Sequence, residues 1–534
     1  MESAGAQNSS SEPQLKSELE PGAELDQSKI EYPPTLEHAL ALASPPNTES
    51  FDKAPEPALF KAESIAPVEG LLAERIDANG SSGGSFDQID SISKQLLQKE
   101  IELLKLNTRY RIESTRVDKL KPWRVFGYSL AGNVLIEVGI SHIAYARWKY
   151  WRRPSLATKA FLRKGPQCLL IGHAIIFTGA AIEAAIDTYR DHKQKVIGFD
   201  RKTCRNRVIT LKSEIEQLLN LRDAALQSTP MSQSQTEVLK VEGKVLSDVK
   251  NCAVEEFSRL AVREAKIKTA RNTATIMNMT QAATGGFVGS LGNLLAVSNR
   301  KPRLALPAGI GFAVSGGVIV ATPPATKILS ILAANAQKKK ESKLLELKGP
   351  SSDIFDTDRQ TLNNTLATLD SSQTLDGVKR RLEIYSMQNE IMDKQILMAK
   401  AEAKANNREF MEKLISNTIA GGTKISWGTN LIVAGSAFSN TAPKAAPTLP
   451  VRLGNKLYRV PIRPMKTPAQ LFSRRVAQGA TSNIAGPFVG AFDAIQSRAR
   501  GEIRERKAKK NGNAAGQLLA ARMKTLEEME AKLK

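Results

Sequence analysis

The chain has 534 residues, of which 41% are hydrophobic and only 5% aromatic, and its formal net charge is +22. Three widely spaced cysteines exclude a disulfide framework and a CxxC metal knuckle, and no GxxxxGK[ST] or HExxH motif is present. We therefore expect a non-enzymatic protein with no catalytic, metal or cofactor residues and no small-molecule substrate. The positive charge indicates an anionic partner.

Residues 1–86 form an acidic segment rich in Ser, Pro, Glu and Ala. It contains 15 acidic and five basic residues. A segment of this composition buries too little apolar surface to offset the entropy lost on ordering. We predict a disordered acidic tail.

The next unit, residues 87–222, begins and ends with a predicted coiled-coil arm. The first arm has a three-four heptad spacing of apolar residues over about three heptads, and Pro122 is expected to end its helix. Its apolar residues are Ile89, Ile92, Leu96, Leu103, Leu106 and Tyr110. The second arm has a matching stripe of Cys204, Val208, Leu211, Ile215 and Leu218. The two arms are predicted to pair with each other.

Two long apolar runs, Val125–Ala146 and Gln167–Ile186, lie between these arms. Each has about the ~20 residues that a helix needs to cross a bilayer, so we predict a helical membrane hairpin. The loop between them is basic and contains no acid, which favours contact with anionic lipid. The residues assigned to that contact are Arg147, Lys149, Arg152, Arg153, Arg163 and Lys164.

Two further units repeat the order of arm, apolar helix, basic loop, apolar helix and arm, over residues 232–350 and 357–534. The last unit has a proline-rich loop with eight bases between Ser439 and Arg475, and it ends in a basic helix. The predicted fold class is all-α: three repeated membrane helical hairpins with coiled-coil arms and a disordered N-terminal tail.

Glycines recur at matching places in the three units. Without a hydrophobic driving force in lipid, helices associate where small residues let their backbones approach, so we predict that these glycines pack helices together. In the first helices they are Gly132 (GNVLI), Gly292 (GNLLA) and Gly428 (GTNLI). In the second helices they are seven apart: Gly172 and Gly179, Gly309 and Gly316, Gly479 and Gly486.

Two ionisable residues inside the first hairpin, Glu137 and His173, are the candidates for intramembrane polar chemistry. An ionisable group at bilayer depth is costly and normally has a partner or faces water. The two residues are expected to come near each other in an antiparallel hairpin, so they either form a structural pair, lie near the membrane interface, or belong to a proton or ion relay. The later units offer Lys424 and Asp493 instead.

The predicted function is that of an integral membrane protein acting as a structural scaffold or oligomeric assembly. Its expected partners are a bilayer with anionic lipids and, through the coiled-coil arms, further copies of the chain. Nucleic acid is disfavoured because the basic loops lack a reading motif and have apolar flanks. One alternative is a pore or transporter lined by glycine-packed helices. Another is an effector that inserts its hairpins only on contact with a membrane.

Overall fold

The computed structural model describes residues 85–115, 120–298, 301–347, 352–368, 375–436, 438, 448–453, 456–461, 467–510 and 515–533. Within these ranges the chain is almost wholly helical, which confirms the all-helical class. The helices are α1 Ser85–Thr115, α2 Lys121–Tyr150, α3 Lys159–Val196, α4 Arg201–Ser228, α5 Gln233–Ala283, α6 Leu291–Ser298, α7 Ala305–Leu345, α8 Ser352–Ala367, α9 Asp376–Ser436, α10 Pro468–Asn483, α11 Ala485–Lys510 and α12 Ala515–Leu533. The predicted acidic tail lies outside the described residues, except for residues 85 and 86.

A β hairpin interrupts the helical pattern in the proline-rich segment predicted as a loop. Strands β1, Thr448–Leu453, and β2, Lys456–Pro461, pair antiparallel with Leu453 opposite Lys456. Leu, Val and Tyr residues in both strands favour extended backbone, and proline is tolerated because each is an edge strand. The loop prediction therefore needs this correction.

The first arm does not end at Pro122, contrary to the prediction. Helix α1 ends at Thr115, and Pro122 lies in the first turn of α2. A proline costs no hydrogen bond there, because the first N–H groups of a helix have no partner within the helix. Pro122 therefore begins the first apolar helix.

Local signals explain where α4 and α5 begin. Gly198 has a φ of 73°, in the left-handed region that favours glycine, and turns the chain out of α3. Asp200 then caps α4 by accepting a hydrogen bond from the Lys202 backbone N–H at 3.0 Å. Ser232 and Gln235 form a capping box at the start of α5. With no such break inside them, α5 runs for 51 residues and α9 for 61.

One of the two cores is built from large aliphatic side chains and is called the aliphatic bundle here. It contains α1, α4, α8, α12, the N-terminal halves of α5 and α9, and the end of α7. Leu96, Leu103, Val208, Ile215 and Phe257 are fully buried in it. The apolar stripes of the predicted arms thus lie inside a core that several helices of the chain share.

Buried ions cross the aliphatic bundle. The Glu242 carboxylate, with no exposed surface, accepts hydrogen bonds from Arg222 Nη2 at 2.8 Å and Arg381 Nε at 2.7 Å. Arg222 Nε also donates to Ser93 Oγ at 2.8 Å. Burial, followed by the Glu242 carboxylate, raises the pKa of Tyr385 above its ordinary value. Helices α1, α4, α5 and α9 are joined by this network.

The second core combines buried large side chains, such as Ile140, Leu169 and Leu431, with many glycine contacts, and is called the glycine bundle. It is formed by α2, α3, a π-helical segment Thr284–Ser290 with α6, the first half of α7, the end of α9, and α10 with the start of α11. Phe312 and Trp427 stack in its centre, with ring centroids 4.2 Å apart. The long helices α5, α7 and α9 pass from one bundle into the other.

Two helical stretches, within Lys159–Ser228 and Pro302–Leu345, are long and apolar enough to cross a membrane by length and composition. Their most apolar windows have mean hydropathies of 1.9 and 2.0, yet only 33% and 39% of those windows is buried inside the chain. The core helix of a soluble protein can pass the same test, but such a helix is mostly buried. The remaining residues of the two windows are partly or fully exposed.

Candidate functional site

Glycines bring α2 and α3 into backbone contact. A Cβ atom added to Gly132 would lie 2.9 Å from the Gly172 carbonyl oxygen, and one added to Gly172 would lie 2.7 Å from the Gly132 carbonyl oxygen. Gly139 and Gly165 stand in the same relation, with distances of 2.7 and 2.8 Å to each other's carbonyl oxygens. The two helices therefore run antiparallel, and any side chain at these positions would push them apart.

Helices α7 and α9 make the same kind of contact. A Cβ on Gly309 or Gly428 would lie 2.6 Å from the carbonyl oxygen of the other, and Gly316 and Gly421 repeat that distance. This contact joins the second helix of one predicted hairpin to the first helix of the next. Gly309 and Gly316 of α7 thus pack across units, whereas Gly172 packs within its own.

The remaining predicted glycines also lie at helix contacts, but against side chains. A Cβ on Gly179 would meet Tyr128, and one on Gly479 would meet Trp427 and Asn430. Gly292 lies against Ala308, and Gly486 against Thr423 and Asn483. The contacts of the three units are therefore not equivalent.

Sequence reasoning missed Gly139, Gly165 and Gly421, and a signal for them was present. Gly132 and Gly139 are seven apart, as are Gly165 and Gly172, and Gly421 and Gly428. A spacing of seven keeps residues on one face of a helix over two turns. The prediction used the spacing of seven only in the second helices. Searching for the same spacing in the first helices as well would have identified the glycine pairs at these contacts.

His173 and Lys424 form a buried pair at the centre of the glycine bundle. Their exposed fractions are 1% and 6%, and Lys424 Nζ lies 3.0 Å from His173 Nε2. His173 Nδ1 lies 2.8 Å from the Leu169 carbonyl oxygen and 3.2 Å from Ser290 Oγ. Because a carbonyl oxygen only accepts, Nδ1 carries the proton, and Nε2 accepts from Lys424. The imidazole is therefore assigned as neutral.

The π-helical segment makes the room for this pair. A Cβ on Gly285 would lie 2.8 Å from both His173 Nε2 and Lys424 Nζ, and 2.9 Å from Ser315 Oγ. Ser290 Oγ, at the end of the segment, donates to the Gly285 carbonyl oxygen at 2.9 Å. π-helical turns occur often at functional sites. This one turns a glycine toward the two basic side chains, so that both fit.

Each of the three predicted hairpins contributes to the cluster: His173 from the first, Ser290 and Ser315 from the second and Lys424 from the third. Within the described residues, no carboxylate forms an ion pair with Lys424. The arrangement holds one cation against a neutral imidazole in a polar interior. It can orient the three hairpins about a single point, and it can also hold a proton.

Glu137 and His173 do not pair with each other. Glu137 accepts from Ser141 Oγ at 3.0 Å on its own helix, while His173 bonds to Ser290 and Lys424. The Gly132–Gly172 contact sets the antiparallel register of α2 and α3. In that register Glu137 lies closer to the loop end of the hairpin than His173 does. The predicted proximity did not take this register into account.

The acidic residues of α3 lie at the other end of the predicted span from the loop. Arg124 Nε donates to Glu183 at 2.6 Å, and Lys121 Nζ to Asp187 at 2.7 Å. Arg271 of α5 also lies 3.2 Å from Asp187. The bases that precede the first apolar helix thus face carboxylates of the same hairpin.

The basic loop is at the opposite end of α2 and α3. Five of its six lipid-assigned bases are exposed, namely Lys149, Arg152, Arg153, Arg163 and Lys164. The sixth, Arg147, is half-buried, with its guanidinium 5.2 Å from the centre of the Phe472 ring. Trp148 Nε1 donates to Thr481 Oγ1 at 2.9 Å, which fastens the loop to α10. The loop end is therefore both basic and aromatic.

No protein-family model, curated protein or solved structure matches this chain. Among the side chains that the structure describes, no group of three or more His, Cys, Asp or Glu is placed to hold a metal ion. The fold and the site together define an almost wholly helical protein with one aliphatic core and one glycine-packed core.

Proposed function

We propose that this chain is an integral membrane protein with a structural, non-enzymatic role, whose glycine bundle lies in the bilayer and whose aliphatic bundle lies outside it. One observation carries the proposal: the glycine bundle buries polar side chains in its interior while many of its large apolar side chains are exposed. Ser290 and Ser315 have no exposed surface, whereas Val138, Ile171 and Val314 are about half exposed, at 51%, 53% and 47%. Lipid favours that distribution, and water disfavours it.

The length of the apolar segment supports the same placement. A helix rises about 1.5 Å per residue, so the segment Val125–Ala146 of α2 is about 33 Å long, close to the ~30 Å of a hydrocarbon core. The ion pairs of Arg124 and Lys121 lie at one end of it, and Trp148 with the basic loop lies at the other. Aromatic and basic side chains are typical of the two membrane–water boundaries.

The proposal includes three repeated hairpins with coiled-coil arms. Its support is the common order of elements and the antiparallel contact within each pair of apolar helices, such as Gly292 against Ala308. What the three units share is the order of their elements, because the residues that their glycines contact differ from unit to unit. The basic loops would then lie together at one membrane face, where anionic lipid is their expected partner.

Self-association belongs to the proposal in a narrower form. Three apolar residues of the third predicted arm are buried within the chain itself: Leu375 is 6%, Val378 2% and Tyr385 0% exposed. A partner copy would have to displace these contacts or use the outer faces of the bundles. We therefore place self-association on the outer faces.

A pore or transporter is the second candidate function, and the buried His173–Lys424 pair is the observation that favours it. Against it stands the close packing at that level, where even a methyl group on Gly285 would collide with both side chains. Proton or ion flux into vesicles that contain the purified chain tests this candidate. Flux that is lost in Lys424→Met would support a transporter over a scaffold.

Cysteine labelling at two equally exposed apolar positions tests the membrane placement. Val138 of α2 is 51% exposed and Ile354 of α8 is 54% exposed. The native Cys168, Cys204 and Cys252 are first replaced, and N-ethylmaleimide, which crosses membranes but reacts with thiolates in water, is applied to membranes. We expect Ile354→Cys to be labelled and Val138→Cys to be labelled only after detergent is added.

Labelling of both positions at similar rates without detergent would contradict the proposal, because a soluble bundle exposes both to water. Carbonate washing of membranes is the companion measurement. An integral protein stays in the pellet, whereas the conditionally inserting effector of the alternative hypothesis is released until it has been activated.

A further inference from the structure

A cleft of about 1840 Å³ lies where the two bundles meet, between the middle of α5, the second half of α7 and the middle of α9. It is larger than the ~300–1,000 Å³ of an ordinary small-molecule site, so it suits a long ligand. Apolar side chains such as Leu260, Ile391 and Phe410 form part of its lining. A fitting ligand therefore has an extended apolar part.

The described lining of the cleft is also strongly basic. It contains nine basic side chains and three acidic ones. Each of the three acids has a partner within the lining: Glu256 pairs with Arg522 at 2.7 Å, Glu409 with Lys413 at 2.7 Å and Glu255 with Arg259 at 3.7 Å. The excess of positive charge favours a ligand with an anionic group.

Buried polar groups in the lining provide a second, independent indication of a ligand. Gln388 is only 3% exposed, and neither its Oε1 nor its Nε2 has a hydrogen-bond partner among the described residues. Thr326 Oγ1, on the α7 side of the cleft, is also buried and also has no hydrogen-bond partner among the described residues. A buried polar group left without a hydrogen bond is destabilising, so such groups normally have a partner.

Apolar side chains continue along the inside of the cleft. Leu104, Val249, Ile267, Leu347 and Met392 line it in addition to the three named above. In the proposed placement the cleft lies at the membrane boundary, where phospholipid is available. Its apolar lining offers the surface that acyl chains need.

We propose that the cleft binds one anionic phospholipid, with its phosphate among the basic side chains and Gln388, and with its acyl chains against the apolar lining, such as Leu260, Ile391 and Phe410. The inference rests on the proposed membrane placement and adds a specific site to it. This site lies at the opposite end of the glycine bundle from the basic loop Arg147–Lys164, so the two are tested separately.

The experiment measures thermal unfolding of the full chain in a neutral detergent, followed by tryptophan fluorescence. Short-chain phosphatidylglycerol, phosphatidylcholine and inorganic phosphate are titrated in parallel. We expect saturable stabilisation by phosphatidylglycerol alone, because ligand that binds only the folded state raises its stability. Equal stabilisation by phosphatidylcholine would overturn the anionic selectivity, and equal stabilisation by phosphate would replace the lipid with a simple anion.

Charge-neutral variants on α5 and α7 locate the site. Lys266→Gln with Lys327→Gln removes two bases of the lining, while Lys339→Gln with Lys340→Gln removes two exposed bases that do not line the cleft. We expect the apparent affinity for phosphatidylglycerol to fall about tenfold in the first pair and to stay unchanged in the second. Equal losses in both pairs would mean diffuse attraction and overturn the site.

Gln388→Leu distinguishes a ligand contact from a structural role. Removing an unpartnered buried amide should raise the unfolding temperature without lipid and reduce the additional shift that phosphatidylglycerol produces. A lower unfolding temperature without lipid would show that the amide is bonded within the protein, and this part of the inference would fail. The labelling of Val138→Cys does not depend on the cleft, so failure of this site leaves the membrane placement separately testable.

Discussion

The aliphatic bundle and the glycine bundle differ in how many large apolar side chains they leave exposed. In the first, Leu96 and Phe257 are fully buried, and most charged side chains lie outside. In the second, Ser290 and Ser315 are fully buried, and Val138 and Val314 are about half exposed. Both bundles contain parts of α5, α7 and α9, so helix formation is common to them and the packing differs.

The difference teaches that two kinds of contact hold these helices together. In water, burial of aliphatic surface stabilises packing by about 25 cal/mol per Å². In lipid that term vanishes, and close approach of backbones through small residues replaces it. The Gly309–Gly428 and Gly316–Gly421 contacts, with added Cβ atoms 2.6 Å from a facing carbonyl oxygen, are close backbone approaches of the kind that the proposed membrane placement requires.

Buried charge separates the bundles as well. Glu242 in the aliphatic bundle is bonded to Arg222 and Arg381, so its negative charge is compensated from two sides. Lys424 in the glycine bundle bonds to His173, which is neutral by its hydrogen-bond pattern. The Glu242 site is therefore an ion network, whereas the Lys424 site is a single charge beside a neutral imidazole.

The largest effect is expected from breaking the ion network. Glu242→Gln leaves Arg222 buried without its carboxylate and Arg381 with Asp90 alone, and loss of one partner of a buried pair costs about 3–5 kcal/mol. Hydrogen exchange of the full chain should show lost protection in α1, α4 and the first half of α5. The tryptophans are at 123, 148, 151 and 427, in or beside the glycine bundle, so their fluorescence should change little.

An exposed pair provides the control for Glu242. Arg408→Gln removes one side of the Arg408–Glu412 pair, in which the arginine side chain is 72% exposed. Exposed pairs contribute about 0–1 kcal/mol, so protection should be retained. Equal effects of the two variants would mean that the aliphatic bundle does not depend on its buried ions.

Adjacent glycines on α7 give the sharpest test of the glycine bundle. An alanine at Gly316 would bring its Cβ to 2.6 Å from the Gly421 carbonyl oxygen, whereas a Cβ on Gly317 meets nothing within 4 Å. We expect Gly316→Ala to destabilise the bundle by about 1–3 kcal/mol through overpacking. Gly317→Ala should be neutral or stabilising, because alanine favours helix by up to about 1 kcal/mol over glycine.

Unfolding followed by tryptophan fluorescence in detergent is the measurement for both glycines. Trp427 reports on it directly, since it lies in the bundle core and stacks on Phe312. If Gly316→Ala and Gly317→Ala have the same midpoint, close backbone approach does not hold α7 to α9.

Removing the charge of Lys424 should change stability less than Glu242→Gln does, and in the opposite direction. Lys424→Met keeps a similar volume and removes a buried cation that has no carboxylate partner among the described residues. Replacing buried ions by apolar groups is often neutral or stabilising, so we expect no loss of stability and a gain of up to about 2 kcal/mol. A loss of similar size to that of Glu242→Gln would mean that the pair stabilises the bundle.

The fold could be predicted from the sequence where apolar residues recur with a helical period. The stripe of α1, with Ile89, Leu96 and Leu103, lies in the core because a heptad spacing places those residues on one face. The all-helical class followed from the same periodicity. The β hairpin after α9 was not predictable from composition, since proline and basic residues there indicate a loop, and local extended residues decided the structure.

The polar contacts could not be predicted, because they depend on which helices become neighbours. Glu242 and Arg381 are 139 positions apart, and His173 and Lys424 are 251 positions apart. Periodicity assigns a residue to one face of its helix but does not say which other helix packs against that face. Lys424 was visible as a charge in an apolar run, yet its partner on α3 required the register of the folded chain.

The smallest expected effect is a pH dependence confined to the aliphatic bundle. Partial burial, followed by the neighbouring carboxyl of Asp358, raises the pKa of Asp248 to about 7. In the unfolded chain an aspartate loses its proton near pH 4, so between about pH 4 and pH 7 the folded state binds more protons. Stability should therefore be full below about pH 4 and fall as the pH rises to about 7. Because the group is half exposed, we expect a loss of only about 1 kcal/mol.

Asp248→Asn should remove that loss, because an amide does not titrate. The variant should match the native chain at low pH and exceed it in stability at pH 8, when hydrogen exchange of α5 and α8 is compared. Asp223→Asn, at an exposed position of α4, is the control and should leave the pH profile unchanged. The glycine bundle, followed by tryptophan fluorescence, should show no change from Asp248→Asn, because both carboxyls lie in the other bundle. A pH profile that survives in Asp248→Asn would assign the titration to another group and remove this distinction between the two bundles.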